Sequence, residues 1–186
     1  MSSHRARFCP LVLALALIGL GGSSRTVATA AEPAEAGAVE LVPVTFDEML
    51  SRIAANKKAK LTLVDAWATW CGPCKENFPH VVEMHKKYSG KGLAVVSLSM
   101  DDRDKPKQVE EAREFLKEKN AVFTNFLLDE AFGDGFEKLD VGAIPAVFLF
   151  GPDGKEVKRF TMDDPNNQFT YDEVEREVVA RLGASK

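Results

Sequence analysis

A seven-residue run with hardly a polar break, Leu61-Thr62-Leu63-Val64-Asp65-Ala66-Trp67, leads almost directly into Trp70-Cys71-Gly72-Pro73-Cys74. That junction limits the available folds more than any other stretch. Interrupted only by Thr62 and Asp65, the run suits a central strand buried on both faces, as in α/β sheets. Two thiols three residues apart bridge with little chain closure. If Cys71 caps a helix starting at Pro73, its thiolate faces the positive end of the helix dipole. Cys71 is then the attacking sulfur. Cys74, at i+3 on the same face and a turn deeper, is placed to resolve a mixed disulfide from within the protein. The chain reads first as a redox catalyst.

The charge pattern narrows the partners. The formal net charge is −4, and Arg5, Arg7 and Arg25 are the only charged side chains among the first 30 residues, so the remainder is more acidic still. Such a chain has no basic field for nucleic acid, and no nucleic-acid binding is expected. Residues 1–30 read as a signal peptide: Arg5 and Arg7 precede the apolar run Leu11 to Leu20, and Ala28-Thr29-Ala30 offers small residues before a cut. The run is short for a span, which wants about 20 apolar residues; an uncleaved anchor from Phe8 toward Gly22 is the alternative. Cys9 lies before the apolar run, where a lipoprotein cysteine would follow it. Removal of Cys9 leaves two cysteines in an exported, periplasmic or extracytoplasmic protein, which fits a structural or catalytic disulfide. Residues 31–38 read as a flexible linker, and residues 39–186 as one folded domain.

The periodicity of that domain alternates between strand and helix. Glu40 to Thr45 reads as a short first strand, and Phe46, Met49, Leu50 and Ile53 recur at helical spacing. After Leu61 to Trp67, a helix is expected to Tyr88, with Phe78, Val81, Val82 and Met84 inward and a kink at Pro79. Leu93 to Met100 reads as the next buried strand, Pro106 to Lys119 as a helix with one apolar stripe, and Phe123 to Leu128 as a short strand. Phe132, Phe136 and Leu139 mark a short helix. Ala146 to Phe150 and Glu156 to Met162 flank the turn Gly151-Pro152-Asp153-Gly154 as a hairpin, and a last helix spans Tyr171 to Leu182.

Strand, Trp-Cys-Gly-Pro-Cys, a proline-bearing helix and a later Ile144-Pro145 entering a hairpin resemble the thioredoxin superfamily, and the export signal and the segment Asp101 to Asp129 are most similar to its TlpA-like (ResA-like) extracytoplasmic thiol-disulfide oxidoreductases. The resemblance spans about Val39 to Leu182. It implies an α/β thioredoxin fold, a central mixed β-sheet flanked by helices, with an extra helical insertion after the third strand. It also implies Cys71 as nucleophile, Cys74 as resolving thiol, Asp65 as a buried carboxylate beneath the pair, and Pro145 as a cis-proline facing the sulfurs.

Residue chemistry stands beside those assignments. Burial of Asp65 in an apolar strand raises its proton affinity and readies it to take a proton from Cys74; otherwise it caps a loop or meets water. On sequence alone Pro145 reads as an ordinary trans proline starting a strand, and the cis form is what the resemblance implies. If cis, it presents the Ile144 backbone for an extended substrate peptide to pair with beside Cys71. Trp70, Gly72 and Pro73 complete the expected substrate contacts, while Trp67 packs in the core. There are departures from the family pattern. Ser97 stands where a lysine often neighbours the aspartate, Asn77 replaces a common glutamate, Ala146 replaces the threonine after the proline, and no glycine follows the last hairpin strand.

Cys71, Cys74, His80 and His85 form a Cys2His2 inventory, but a compact zinc site leaves roughly 12 to 15 residues between its pairs, and the two histidines point about 140° apart on one helix. No metal or cofactor is expected, and both histidines read as solvent-facing. A structural Cys71–Cys74 clip restrains little of the unfolded chain, and no peroxidatic-cysteine loop precedes Cys71. The expectation is therefore an exported reductase of protein disulfides, acting as a monomer. Thiol-dependent peroxidase activity and a non-enzymatic binding module stand as alternatives. Gly72-Pro73 resembles reducing thioredoxins, near roughly −270 mV against about −120 mV for strong oxidants. A membrane electron donor and disulfide clients such as apocytochrome c follow by resemblance.

Overall fold

The structure is a computed structural model that describes residues 39–131 and 133–184. The expected signal segment, the linker and Phe132 lie outside the described residues. Strand β1 (Val42–Val44) leads to helix α1 (Phe46–Ala55), whose start is set by a capping box. There the Thr45 hydroxyl accepts from the Glu48 N–H at 3.2 Å, and the Glu48 carboxylate accepts from the Thr45 N–H at 2.9 Å. Strand β2 (Leu61–Trp67) is buried along its whole length, as the apolar run requires of a central strand. Helix α2 (Gly72–Tyr88) follows, beginning one residue earlier than Pro73 and continuing through Pro79.

After a 3-10 turn at Ser89–Lys91 and a left-handed Gly92, strand β3 (Leu93–Ser99) returns parallel to β2. Helix α3 (Pro106–Glu118) and strand β4 (Thr124–Leu128) come next. Helix α4 (Asp134–Leu139), the hairpin β5 (Ala146–Phe150) and β6 (Glu156–Phe160), and helix α5 (Tyr171–Ala184) complete the chain. The six strands form one mixed sheet in the order β1, β4, β3, β2, β5, β6. The insertion after β3 is therefore a helix and a strand together. β4 lies between β3 and β1, pairing Leu98 with Phe126 on one side and Val42 with Phe126 on the other.

Alternation along β2 divides the core into two layers. Val64 and Ala66 pack with Met49 and Ile53 of α1 and with Ala112 and Leu116 of α3. Leu61 and Leu63 pack with Val81 and Met84 of α2 and with Val174 and Val178 of α5. Asp65 shares the parity of Leu61 and Leu63, so the fold aims a carboxylate at the layer built by α2 and α5. Gly135 of α4 sits where a Cβ would come within 2.5 Å of Leu128 Cδ2, and this close approach holds α4 against β4.

Candidate functional site

The site forms where β2 ends and α2 begins. Cys71 has an extended backbone and serves as the N-cap of α2, its Sγ accepting from the Cys74 N–H at 3.2 Å. A side-chain acceptor at this position satisfies a backbone donor that the helix cannot, which is why the chain turns helical here. The first turn of α2 contains no acidic side chain, so no carboxylate of that turn offsets the positive helix end that favours a thiolate at Cys71. Cys71 and Cys74 are joined by a disulfide with Cα atoms 5.3 Å apart, inside the ordinary range. Cys74 is fully buried while Cys71 keeps 6 % of its surface, so the outer sulfur is the one a substrate can reach.

Of the expected substrate-contact residues, Ile144 lies against that sulfur. The Ile144–Pro145 peptide is cis, and the Ile144 carbonyl oxygen lies 3.8 Å from Cys71 Sγ. Gly72 and Pro73 are exposed on the first turn of α2. Trp70 is half-exposed, its ring centroid 6.5 Å from that of Phe136 on α4. Trp67 packs in the core against Phe78 and Phe115. Asn77 turns back to donate to the Pro73 carbonyl at 2.9 Å.

Asp65 is fully buried in the middle of the sheet, opposite Ser97 of β3 and Val147 of β5. Burial pushes its carboxyl up to about 7, against the opposing effect of a hydrogen bond from Tyr171. The Tyr171 hydroxyl donates to Asp65 Oδ1 at 2.6 Å, and Oδ2 has no hydrogen-bond partner among the described residues. Ser97 points its hydroxyl elsewhere, to Asn125 Oδ1 at 2.8 Å. A carboxyl titrating near neutrality inside the sheet can take or give a proton at ordinary pH.

Two features of the site lie outside the sequence-derived set. Tyr171 is one; its only local signal is its place immediately after Thr170, which with Glu173 forms a capping box. Asp101, just beyond β3, is the other. Its carboxylate accepts from the Thr69 N–H at 3.1 Å, the Thr69 hydroxyl at 2.6 Å and the Ser99 hydroxyl at 2.8 Å, and so pins the loop that carries Trp70. Of the two histidines, His80 is exposed and stacks on Tyr171. His85 departs from the expected solvent-facing position: it is half-buried against Phe123, its Nδ1 enclosed, and burial lowers its proton affinity. Phe123, the residue ahead of β4, covers that part of the helix face.

The family model described as Redoxin matches residues 39–177. The thiol-disulfide oxidoreductase ResA of Bacillus subtilis strain 168 is 30% identical over 108 residues, covering 58% of this chain and 56% of that protein. The chain thus spans somewhat over half the length of the curated relatives it matches. Among solved structures, a candidate thiol:disulfide interchange protein DsbE from Chlorobium tepidum aligns with a TM-score of 0.55 at 28% identity, over 69% of this chain and 84% of that one. A thiol:disulfide interchange protein from Bacteroides sp. aligns with a TM-score of 0.53 at 21% identity, over 70% and 78% of the two chains, a likeness of fold.

Proposed function

The chain belongs to the redoxin family, and from that premise we propose that it is a thiol-disulfide oxidoreductase that reduces protein disulfides through Cys71 and Cys74. The observation that carries the reading is the position of Cys71. It caps α2, is bonded to a buried Cys74, and abuts the Ile144 carbonyl. In the reduced enzyme the Cys71 thiolate attacks one sulfur of a substrate disulfide. A Cys71–substrate disulfide forms, the substrate bond breaks, and the departing thiolate takes a proton. Cys74 then gives its proton to Asp65, and its thiolate attacks Cys71 Sγ. This closes the Cys71–Cys74 disulfide and expels the second substrate thiolate. Two electrons pass from the dithiol to the substrate, and an external dithiol donor must restore them.

Trp70, Gly72, Pro73, Ile144 and Pro145 form the surface a client peptide meets, with the Ile144 backbone available for strand-like pairing. Residues 1–30 act as an export signal or retained anchor, residues 31–38 as a linker and residues 39–186 as the catalytic domain, placing the enzyme outside the cytoplasm as a monomer. Its electron donor is then membrane-borne, and apocytochrome c is one candidate client. The test is insulin-disulfide reduction by the purified mature chain. Activity is expected in the wild type and its loss in Cys71→Ala; full activity in that variant overturns the mechanism. Redox titration of the pair decides direction: a potential near that of reducing thioredoxins, roughly −270 mV, supports reduction, and one near about −120 mV overturns it.

A further inference from the structure

One side chain among the described residues hydrogen-bonds to Asp65. Its neighbours across the sheet are Ser97, whose hydroxyl is committed to Asn125, and Val147, which has no polar group. The Tyr171 hydroxyl, 2.6 Å from Oδ1, is the side-chain donor that remains among the described residues. Tyr171 is itself buried, with 4 % of its surface exposed, at the first residue of α5.

That phenol is held from several directions. The Thr170 N–H and hydroxyl reach Glu173 Oε2 at 2.7 and 3.1 Å, and the Glu173 N–H returns to the Thr170 hydroxyl at 3.3 Å, which fixes the helix start. His80 of α2 stacks on the Tyr171 ring at 5.9 Å, and Phe169 leans on it at 5.6 Å. One turn along α5, Glu175 accepts from Tyr88 at 2.7 Å and Lys87 at 3.2 Å. α5 is thereby tied to the middle and the C-terminal end of the helix that carries Cys74.

We propose that Tyr171 is a positioning residue for thiol-disulfide exchange: it holds Oδ1 of Asp65 and leaves Oδ2 as the oxygen that receives the Cys74 proton and later releases it. The inference rests on the reading of Asp65 as the proton acceptor. A phenol bonded to Oδ1 stabilises the carboxylate while itself staying protonated, because burial and the adjacent Asp65 hold its own proton affinity well above the ordinary value. It does so in place of a lysine, without burying a second full charge. The titratable group packed on the pair from α2 is His80, and Glu175 lies further along α5; β3 and β5 present Ser97 and Val147, which do not titrate.

The test is the Asp65 titration, followed by carboxyl carbon NMR of the oxidised protein and assigned with Asp65→Asn. Loss of one hydrogen bond to a charged group predicts that Tyr171→Phe moves the midpoint up by about one to two pH units, with the pH profile of insulin reduction following it. An unmoved midpoint overturns the proposal. Should Tyr171→Phe fold poorly, 3-fluorotyrosine supplies the second arm. The chain has two tyrosines, so in a Tyr88→Phe background the label sits at Tyr171 alone. Its more acidic phenol should move the midpoint down relative to unlabelled Tyr88→Phe, and no movement again overturns the proposal. Because the titration is read without substrate, a wild type inactive toward insulin overturns the functional reading, whereas an unmoved midpoint overturns the role of Tyr171.

Discussion

Asp65 and Asp101 are both buried carboxylates within the reach of adjacent strands, and burial raises the proton affinity of each. Their surroundings differ. Asp101 accepts from the N–H and hydroxyl of Thr69, in the loop it anchors, and from the hydroxyl of Ser99 at the end of β3. Asp65 accepts from one phenol and keeps an enclosed oxygen without a hydrogen-bond partner among the described residues. A carboxylate whose lone pairs are occupied by nearby donors acts as a structural tie, because protonating it would break bonds that hold a loop. One that is half-bonded is free to exchange a proton. The contrast separates the part of the site that holds Trp70 in place from the part that does chemistry.

Substitutions can break that contrast. The largest expected effect is on stability at Asp101: Asp101→Ala strands the Thr69 N–H and two hydroxyls, with an expected loss of about 4 kcal/mol in urea unfolding. A loss below about 1 kcal/mol would mean that Asp101 is not the tie. Asp65→Asn should act oppositely. Since its folded carboxyl titrates at about 7 against an ordinary 3.8, the native state binds the extra proton between those values. Stability of the wild type therefore falls as pH rises through that window, and the full penalty is present above it. Relative to wild type, Asp65→Asn should gain about 3 kcal/mol between pH 4 and pH 8; a pH-independent difference would show that Asp65 is not held protonated by burial.

Smaller effects sharpen the division. Asp65→Asn should slow insulin reduction near neutral pH by about 100-fold, the lower end of the range for loss of one proton-transfer group. Asp101→Asn, where folded, should stay within about threefold. At the exposed rim, Trp70→Ala should change stability by less than about 0.5 kcal/mol while raising KM for protein disulfides. Unchanged KM would remove Trp70 from the client surface.

The features legible in the sequence are those with a local signature. The apolar run of β2, the cap at Cys71 and the stripe of α3 each follow from periodicity or capping chemistry within a dozen or so residues. Asp65 is conspicuous for the same reason, as a charge within an apolar strand. Its bond to Tyr171 joins positions 106 residues apart, and nothing near either residue encodes it. The place of β4 between β3 and β1 is likewise a matter of long-range pairing, since a three-residue β1 carries too little pattern to name its neighbour. The covering of His85 is equally non-local: the side chain that packs on it, Phe123, comes from the residue before β4.

The central claim is that Asp65 exchanges a proton with Cys74 during thiol-disulfide exchange. Its most direct test is the rate of insulin-disulfide reduction as a function of pH in wild type and Asp65→Asn. The account predicts an inflection near neutrality in the wild type that is absent from Asp65→Asn, and the same inflection persisting in the variant would contradict it.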